Sequence, residues 1–427
     1  MIAKEVLASV EVIPDPYIKS ATYAKIGERL AKARDNLYKT AFLRAIETAK
    51  EIEDPVTMFR ALLSVGYSMG RAGLKSAKRI YQGVLEDSRM LPKAQRDLIM
   101  QSAAGYMLAL GEVNEAITYA LEIENPKARN EMLLEILRAN TRMIGKEHLK
   151  VAYRLRKSKL IVDYIDSEPY RSKAMLELIK AYLFLDSYEN AISLLREIQV
   201  KDWAKQAFKE VAFYLKEKDV LGHYIDALET VANDLIGKFG RDFTVELAFV
   251  FALSGEGVPA LDLIRRLENS DSIIVEMALE LLERDHDVLP SFISAMREEE
   301  VALVGKVVMN KILENPKKGS WAIVKAIGNG TSSEEVWAKI ARYHVLKGEL
   351  EGAMRIGSLI QNERLRSIIM ADVAHHLVKR GEVERAIDAA LEVRNPRFSS
   401  ILVSEILIKA LEQELPGRVK SWNGSRH

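Results

Sequence analysis

The sequence predicts an all-α solenoid of about eleven αα-hairpin repeats. Three observations carry this: a small-residue pattern recurring every 31–39 residues, apolar stripes at helical spacing, and Asn/Asp-Pro or Gly stops between them. A chain of 427 residues exceeds what one compact core supports, but repeat units escape that limit because each packs only on its neighbours.

The second helix of each unit is the clearest. Glu115-Ala116-Ile117, Ala120 and Ile123-Glu124-Asn125-Pro126 recur as Arg385-Ala386-Ile387, Ala390 and Val393-Arg394-Asn395-Pro396. They recur again as Arg44-Ala45-Ile46, Ala49 and Ile52-Glu53-Asp54-Pro55, with weaker copies at Asn190, Pro259 and Gly352. Positions i, i+1, i+4 and i+7 share one helical face, and a small first residue admits a close neighbour. In register, the small residues are Ala45, Ala77, Ala116, Ala152, Ala191, Ala227, Ala260, Ser291, Ala322, Ala353 and Ala386. Each helix stops at Asn/Asp-Pro, because Pro lacks a donor and biases the preceding residue out of the helical region. That Asn or Asp is placed to cap the helix that follows.

The first helices show a complementary stripe. Leu98, Ile99, Ala103, Tyr106, Met107 and Leu110 end at Gly111, suited to the left-handed position after a helix. Residues 368–381 repeat this, ending at Gly381, and residues 335–348 do so from Val336 to Gly348. No segment alternates with period two and β-branched residues, so no sheet is expected.

The Gly-Glu-x-x-x-Ala-Ile turn at Gly111 and Gly381, the terminal Pro and a period near 34 residues resemble the tetratricopeptide repeat (TPR) family and its divergent prokaryotic relatives. Tyr106 and Tyr343 sit where a family tyrosine packs, with His376 in the equivalent slot, while no unit has the family's Trp-x-x-Leu-Gly-x-x-Tyr opening. The resemblance implies a right-handed superhelix of about 23 helices. First helices would line its concave groove, which suits an extended segment or a helix of a partner.

Breaks in the period mark candidate joints near 237–241 and 328–333 in an otherwise single solenoid over 1–415. At the second, Thr331 or Ser332 is placed to cap, with Glu334 or Glu335 completing a capping box. Residues 416–427 lack a core stripe and read as a mobile tail.

Lys and Arg number 62 against 61 Asp and Glu, a balance that favours no particular class of partner. The distribution is uneven. Residues 1–160 carry 27 Lys/Arg and 19 Asp/Glu, net +8, and the remainder nets −7. The absence of cysteine excludes disulfides, thiolate metal sites and cysteine nucleophiles. No leader-like apolar stretch or long apolar run occurs, so cytoplasmic residence is the expectation. Abundant Glu, Lys and Arg with few Gln resemble thermophile composition.

The candidate site is basic. Arg138, Arg142, Lys146, Lys150 and Arg154 occur at four-residue spacing, joined by Arg156, Lys157 and Lys159, against one acid, Glu147. With Gly145 separating two helices, such a face could receive an acidic protein partner or contact phosphates. It could equally be a solvated ridge. Aromatic interleaving is thin: Tyr153 lies inside the run, with Tyr164 and Tyr170 beyond. Residues 262–300 hold eleven acids against four Arg, so self-association through opposite charge patches is a further expectation.

His375 and His376 are adjacent and point apart, and His344 and His376 align with packed positions, so no metal site is expected. Trp203 and Trp337 lie near helix starts, where they anchor neighbouring repeats. No Gly-rich phosphate loop or buried carboxylate pair is indicated, so neither cofactor nor catalysis is expected. The sequence therefore reads as a non-catalytic intracellular protein–protein interaction scaffold, with a nucleic-acid-binding solenoid using 138–159 as the alternative.

Overall fold

The computed structural model describes residues 2–144, 146, 150–317 and 319–414. The chain divides into two compact units, Met1–Val211 and Ala212–His427. Among the described residues every regular element is helical, as the apolar spacing requires.

In the first unit the helices are α1 (Ile2–Ser9), α2 (Pro16–Lys32), α3 (Tyr38–Lys50), α4 (Pro55–Arg71), α5 (Ala77–Asp87), α6 (Lys93–Ala109), α7 (Val113–Leu121), α8 (Pro126–Ile144), α9 (Val151–Tyr164), α10 (Tyr170–Leu183) and α11 (Tyr188–Leu194). The division falls inside α12 (Lys201–Glu217). The second unit continues with α13 (Leu221–Phe239), α14 (Thr244–Ser254), α15 (Gly257–Ile264), α16 (Ser270–Arg284), α17 (Leu289–Ser294), α18 (Glu298–Glu314), α19 (Ser320–Gly330), α20 (Glu334–Lys347), α21 (Leu350–Leu359), α22 (Glu363–Lys379), α23 (Val383–Leu391) and α24 (Pro396–Glu414).

From α2 onward the helices pair as hairpins, the first member being the longer except in α12 and α13. Within the first unit α2, α4, α6, α8 and α10 pack in file, each against the next. Within the second, α14, α16, α18, α20, α22 and α24 do the same. In each unit the core lies between hairpins. In the first it includes Tyr23, Phe42, Ala45 and Val65, and in the second Ile369, Val373, Leu377 and Ala390. This is an α-solenoid of helical hairpins.

The stops work as the residue types dictate. Asp54 accepts the Thr57 amide at 2.8 Å, Asn125 that of Ala128 at 3.1 Å, and Asn395 that of Phe398 at 3.0 Å. Gly111 and Gly381 close first helices at φ 80° and 79°, where a side chain would strain the backbone. All eleven small residues of the sequence register fall on α3, α5 and each later odd-numbered helix through α23.

Four of them are displaced. Ala45, Ala77, Ala116, Ala191, Ala260, Ala353 and Ala386 are buried, but Ala152, Ala227, Ser291 and Ala322 are exposed. In three of those helices the next residue is buried instead: Leu228, Phe292 and Ile323. The period helps to place Ala152, Ser291 and Ala322, and an offset of one residue turns a helix face by about 100°.

In the Gly-rich stretch at 328–333 the chain leaves the helix only at 331–333, and its glycines lie inside it. Helix α19 runs through Gly330. A Cβ on Gly330 would stand 3.0 Å from Val301, so this glycine serves close packing. No capping box forms with Thr331 or Ser332; Ser333 precedes α20 without a side-chain cap. The Glu298 carboxylate takes the Ser332 amide at 3.1 Å instead. Gly237 likewise lies within α13, which ends at Gly240 with φ 97°.

Candidate functional site

The basic run occupies the fourth hairpin, α8 and α9. Asn125 and Pro126 start α8, which ends at Ile144. Gly145, Glu147 and His148 lie outside the described residues. The two helices meet across a polar seam. Asn140 Nδ2 donates to the Arg154 carbonyl at 2.8 Å and to Ser158 Oγ at 2.9 Å, and the Arg154 guanidinium returns a hydrogen bond to Asn140 Oδ1 at 3.1 Å.

Arg154 is therefore buried, 9% exposed, and stands apart from the other cations. Four-residue spacing keeps charges on one face only along a continuous helix. The break between α8 and α9 resets the phase and turns Arg154 inward.

The remaining cations divide into two groups. Arg138 reaches Glu177 on α10 at 3.5 Å. Lys157 lies over the Tyr153 ring at 5.6 Å, and Lys159 over Tyr182 at 5.4 Å. Arg142, Lys146, Lys150 and Arg156 are exposed and make no ion pair with any described residue. These four sit near the end of the hairpin where α8 passes into α9. Tyr153, 45% exposed, belongs to the same end and hydrogen-bonds Asn114 on α7 at 3.1 Å.

Elsewhere in this unit several arginines tie neighbouring segments together. Arg71 meets Glu28 at 3.2 Å, Arg96 meets Glu122 at 2.9 Å, and Arg129 meets Asp166 at 3.1 Å. The Asn130 amide and the Arg129 charge hold the Asp166 carboxyl below the usual aspartate range.

Part of the acidic run in the second unit is structural. Glu300 accepts a two-pronged contact from Arg265 at 2.8 and 2.7 Å, and its Oε2 takes the Arg297 amide at 2.8 Å. Burial alone would raise the Glu300 pKa, but these donors outweigh it and hold the carboxyl below its ordinary value.

A set of polar contacts not recognised in the sequence ties hairpins together. Asp97 accepts the amides of Glu124 and Asn125, Ser172 those of Gln199 and Val200, and Glu334 those of Gln361 and Asn362. In every case the separation is 27 and 28 residues. Three different residue types share one register, so residue identity alone gives no signal.

His344, His376, Trp203 and Trp337 are partly buried. His344 bonds Glu349 at 2.7 Å and lies edge-on to Trp321, while His376 is half-buried. Trp337 donates to the Thr331 carbonyl at 2.9 Å, and Lys173 lies over Trp203 at 5.2 Å. Trp422 and His427 lie outside the described residues, as do residues 416–427 as a whole. Among the described residues no three His, Asp or Glu side chains converge as metal ligands. No helix there is long and apolar enough to cross a membrane. A cavity of about 250 Å³ lies between α16, α18 and α19, walled by Leu279, Leu282, Ile312 and Ile323, with His286, Lys311 and Glu283 among its polar lining.

The hairpins and their polar seams define an α-helical repeat protein. No family model and no curated protein matches the sequence. Among solved structures the chain is similar to Ton1535 from Thermococcus onnurineus NA1, with 16% identity over 94% of each chain and a TM-score of 0.26. It is similar also to a circular tandem repeat protein with novel repeat topology, with 14% identity over 94% of this chain and 98% of the other and a TM-score of 0.24. Against the pentatricopeptide repeat protein PPR10 from maize, identity is 13% over 97% of this chain and 68% of that one, with a TM-score of 0.31. Overlaps this shallow add nothing to the fold assignment, which rests on the chain's own helices.

Proposed function

We infer that the chain is a divergent TPR-like, non-catalytic scaffold that recruits another protein, with the exposed end of the fourth hairpin receiving an acidic segment. The observation that supports this is a cluster of exposed cations at one hairpin end. Arg71, Arg96, Arg129 and Arg138 each meet a carboxylate. Arg142, Lys146, Lys150 and Arg156 gather at one hairpin end without any such partner among the described residues. Like charges held close destabilise a helix slightly, and an acidic surface would return that cost while steering association.

A nucleic-acid reading is favoured by one feature: exposed Tyr153 beside Lys157 offers a base-stacking face within the basic run.

The test is capture of partners from native lysate by the intact chain, with and without nuclease, beside the variant Arg142→Glu/Lys150→Glu/Arg156→Glu. A specific protein that survives nuclease and is lost with charge reversal is expected. Loss of all captured material on digestion would transfer the assignment to nucleic acid. Capture indifferent to charge reversal would remove the basic end as the contact.

A further inference from the structure

Helix α24 enters the fold as a first helix. Asn395 caps it, Ser399 Oγ donates to the Ala390 carbonyl at 2.8 Å, and buried Leu402 and Ile406 seat it on α22 and α23. No described helix covers its other side.

The preceding first helices use that side to bind their successors through charge. Arg342 on α20 meets Asp372 on α22 at 2.9 Å, and His375 on α22 meets Glu405 on α24 at 3.4 Å, both at a separation of 30 residues. Arg342 and His375 stand 33 residues apart, and the next position in that register is Ile408. On α24 an ionic contact point has become apolar. Ile401, Leu407, Ile408 and Leu411 are 48%, 50%, 56% and 56% exposed. Ile401 and Ile408 lie two turns apart, with Leu411 one turn further on.

We propose that this side of α24 is a self-complementary interface that docks on α24 of a second copy of the chain in antiparallel, two-fold fashion. It continues the surface through which α20 binds α22 and α22 binds α24, and its apolar stripe matches a stripe of the same chemistry. Charge also fits: an antiparallel pair brings Lys409 of each copy beside Glu405 of the other, on the flank of the seam. The contact does not involve the basic hairpin end and stands independently of the proposed function. It also differs from self-association through opposite charge patches, because salt weakens that and spares an apolar seam.

Sedimentation equilibrium on the full chain tests this, at low and high salt, with Ile408→Glu and Leu411→Lys made separately. These residues are exposed, and far-UV circular dichroism checks that each variant keeps its helices. The expected result is a mass of two chains at both salt concentrations, reduced to one chain by either substitution. A wild-type mass of one chain would overturn the proposal. A two-chain mass that survives both substitutions, or dissociates as salt rises, would do so equally.

Discussion

Asp97 on α6 holds the loop that launches α8: its carboxylate accepts the Glu124 amide at 2.8 Å and the Asn125 amide at 2.9 Å. Asp97 is only 7% exposed, so removing its oxygens leaves two amides without acceptors in a partly buried place. Asp97→Ala is expected to lower unfolding stability by about 2–3 kcal/mol. Asp97→Asn, which keeps one acceptor oxygen, should cost less. Urea denaturation of the pair reads the difference.

The Arg265–Glu300 contact makes stability depend on acid. Despite burial, hydrogen bonds from Arg265 and the Arg297 amide keep the folded Glu300 pKa below its unfolded value. A depressed carboxyl pKa contributes stability above the unfolded pKa and loses it as pH falls through the folded one. Wild-type stability should therefore fall on acidification from about pH 5. Glu300→Gln should be less stable at neutral pH by about 2–3 kcal/mol and show a shallower acid dependence. Parallel acid-limb slopes for the two proteins would count against this role.

Two glycines in helices predict opposite outcomes. A Cβ on Gly305 would meet Ile327 at 2.9 Å and Val336 at 3.0 Å, so Gly305→Ala should cost about 1–3 kcal/mol. Nothing lies within 4 Å of a Cβ on Gly83, in α5, where Gly83→Ala should add up to about 1 kcal/mol through helix propensity. Thermal unfolding of the two variants gives the signs directly.

Arg34 adopts φ 60° just after α2, a conformation glycine takes without strain. Arg34→Gly should relieve the side-chain cost while giving up some unfolded-state restriction, for a net gain of about 0.5–1 kcal/mol. A loss of stability at this position would show that the Arg34 side chain makes up for its backbone.

These cases show how far the sequence could be read. Where Asn or Asp precedes Pro, the stop fixes the helix end, and Ala45, Ala116 and Ala386 fall in the core as their spacing requires. For Ala227, Ser291 and Ala322 the apolar pattern gives the helix but leaves its rotation open by one residue. The glycines at 328 and 330 have turn composition yet pack inside a helix, because the approach of Val301 to Gly330 comes from a distant part of the chain. The basic run was visible as composition. That Arg154 leaves it for Asn140 depends on the phase of α9 relative to α8, which spacing along the chain does not encode.

The account depends most on hairpins that stabilise only their neighbours, and native-state hydrogen exchange of Asp97→Ala tests this directly. Faster exchange confined to α6, α7, α8 and their adjoining hairpins, with amides of α18 to α24 protected as in the wild type, is the predicted result. Exchange raised equally in every helix would mean one indivisible core and would contradict it.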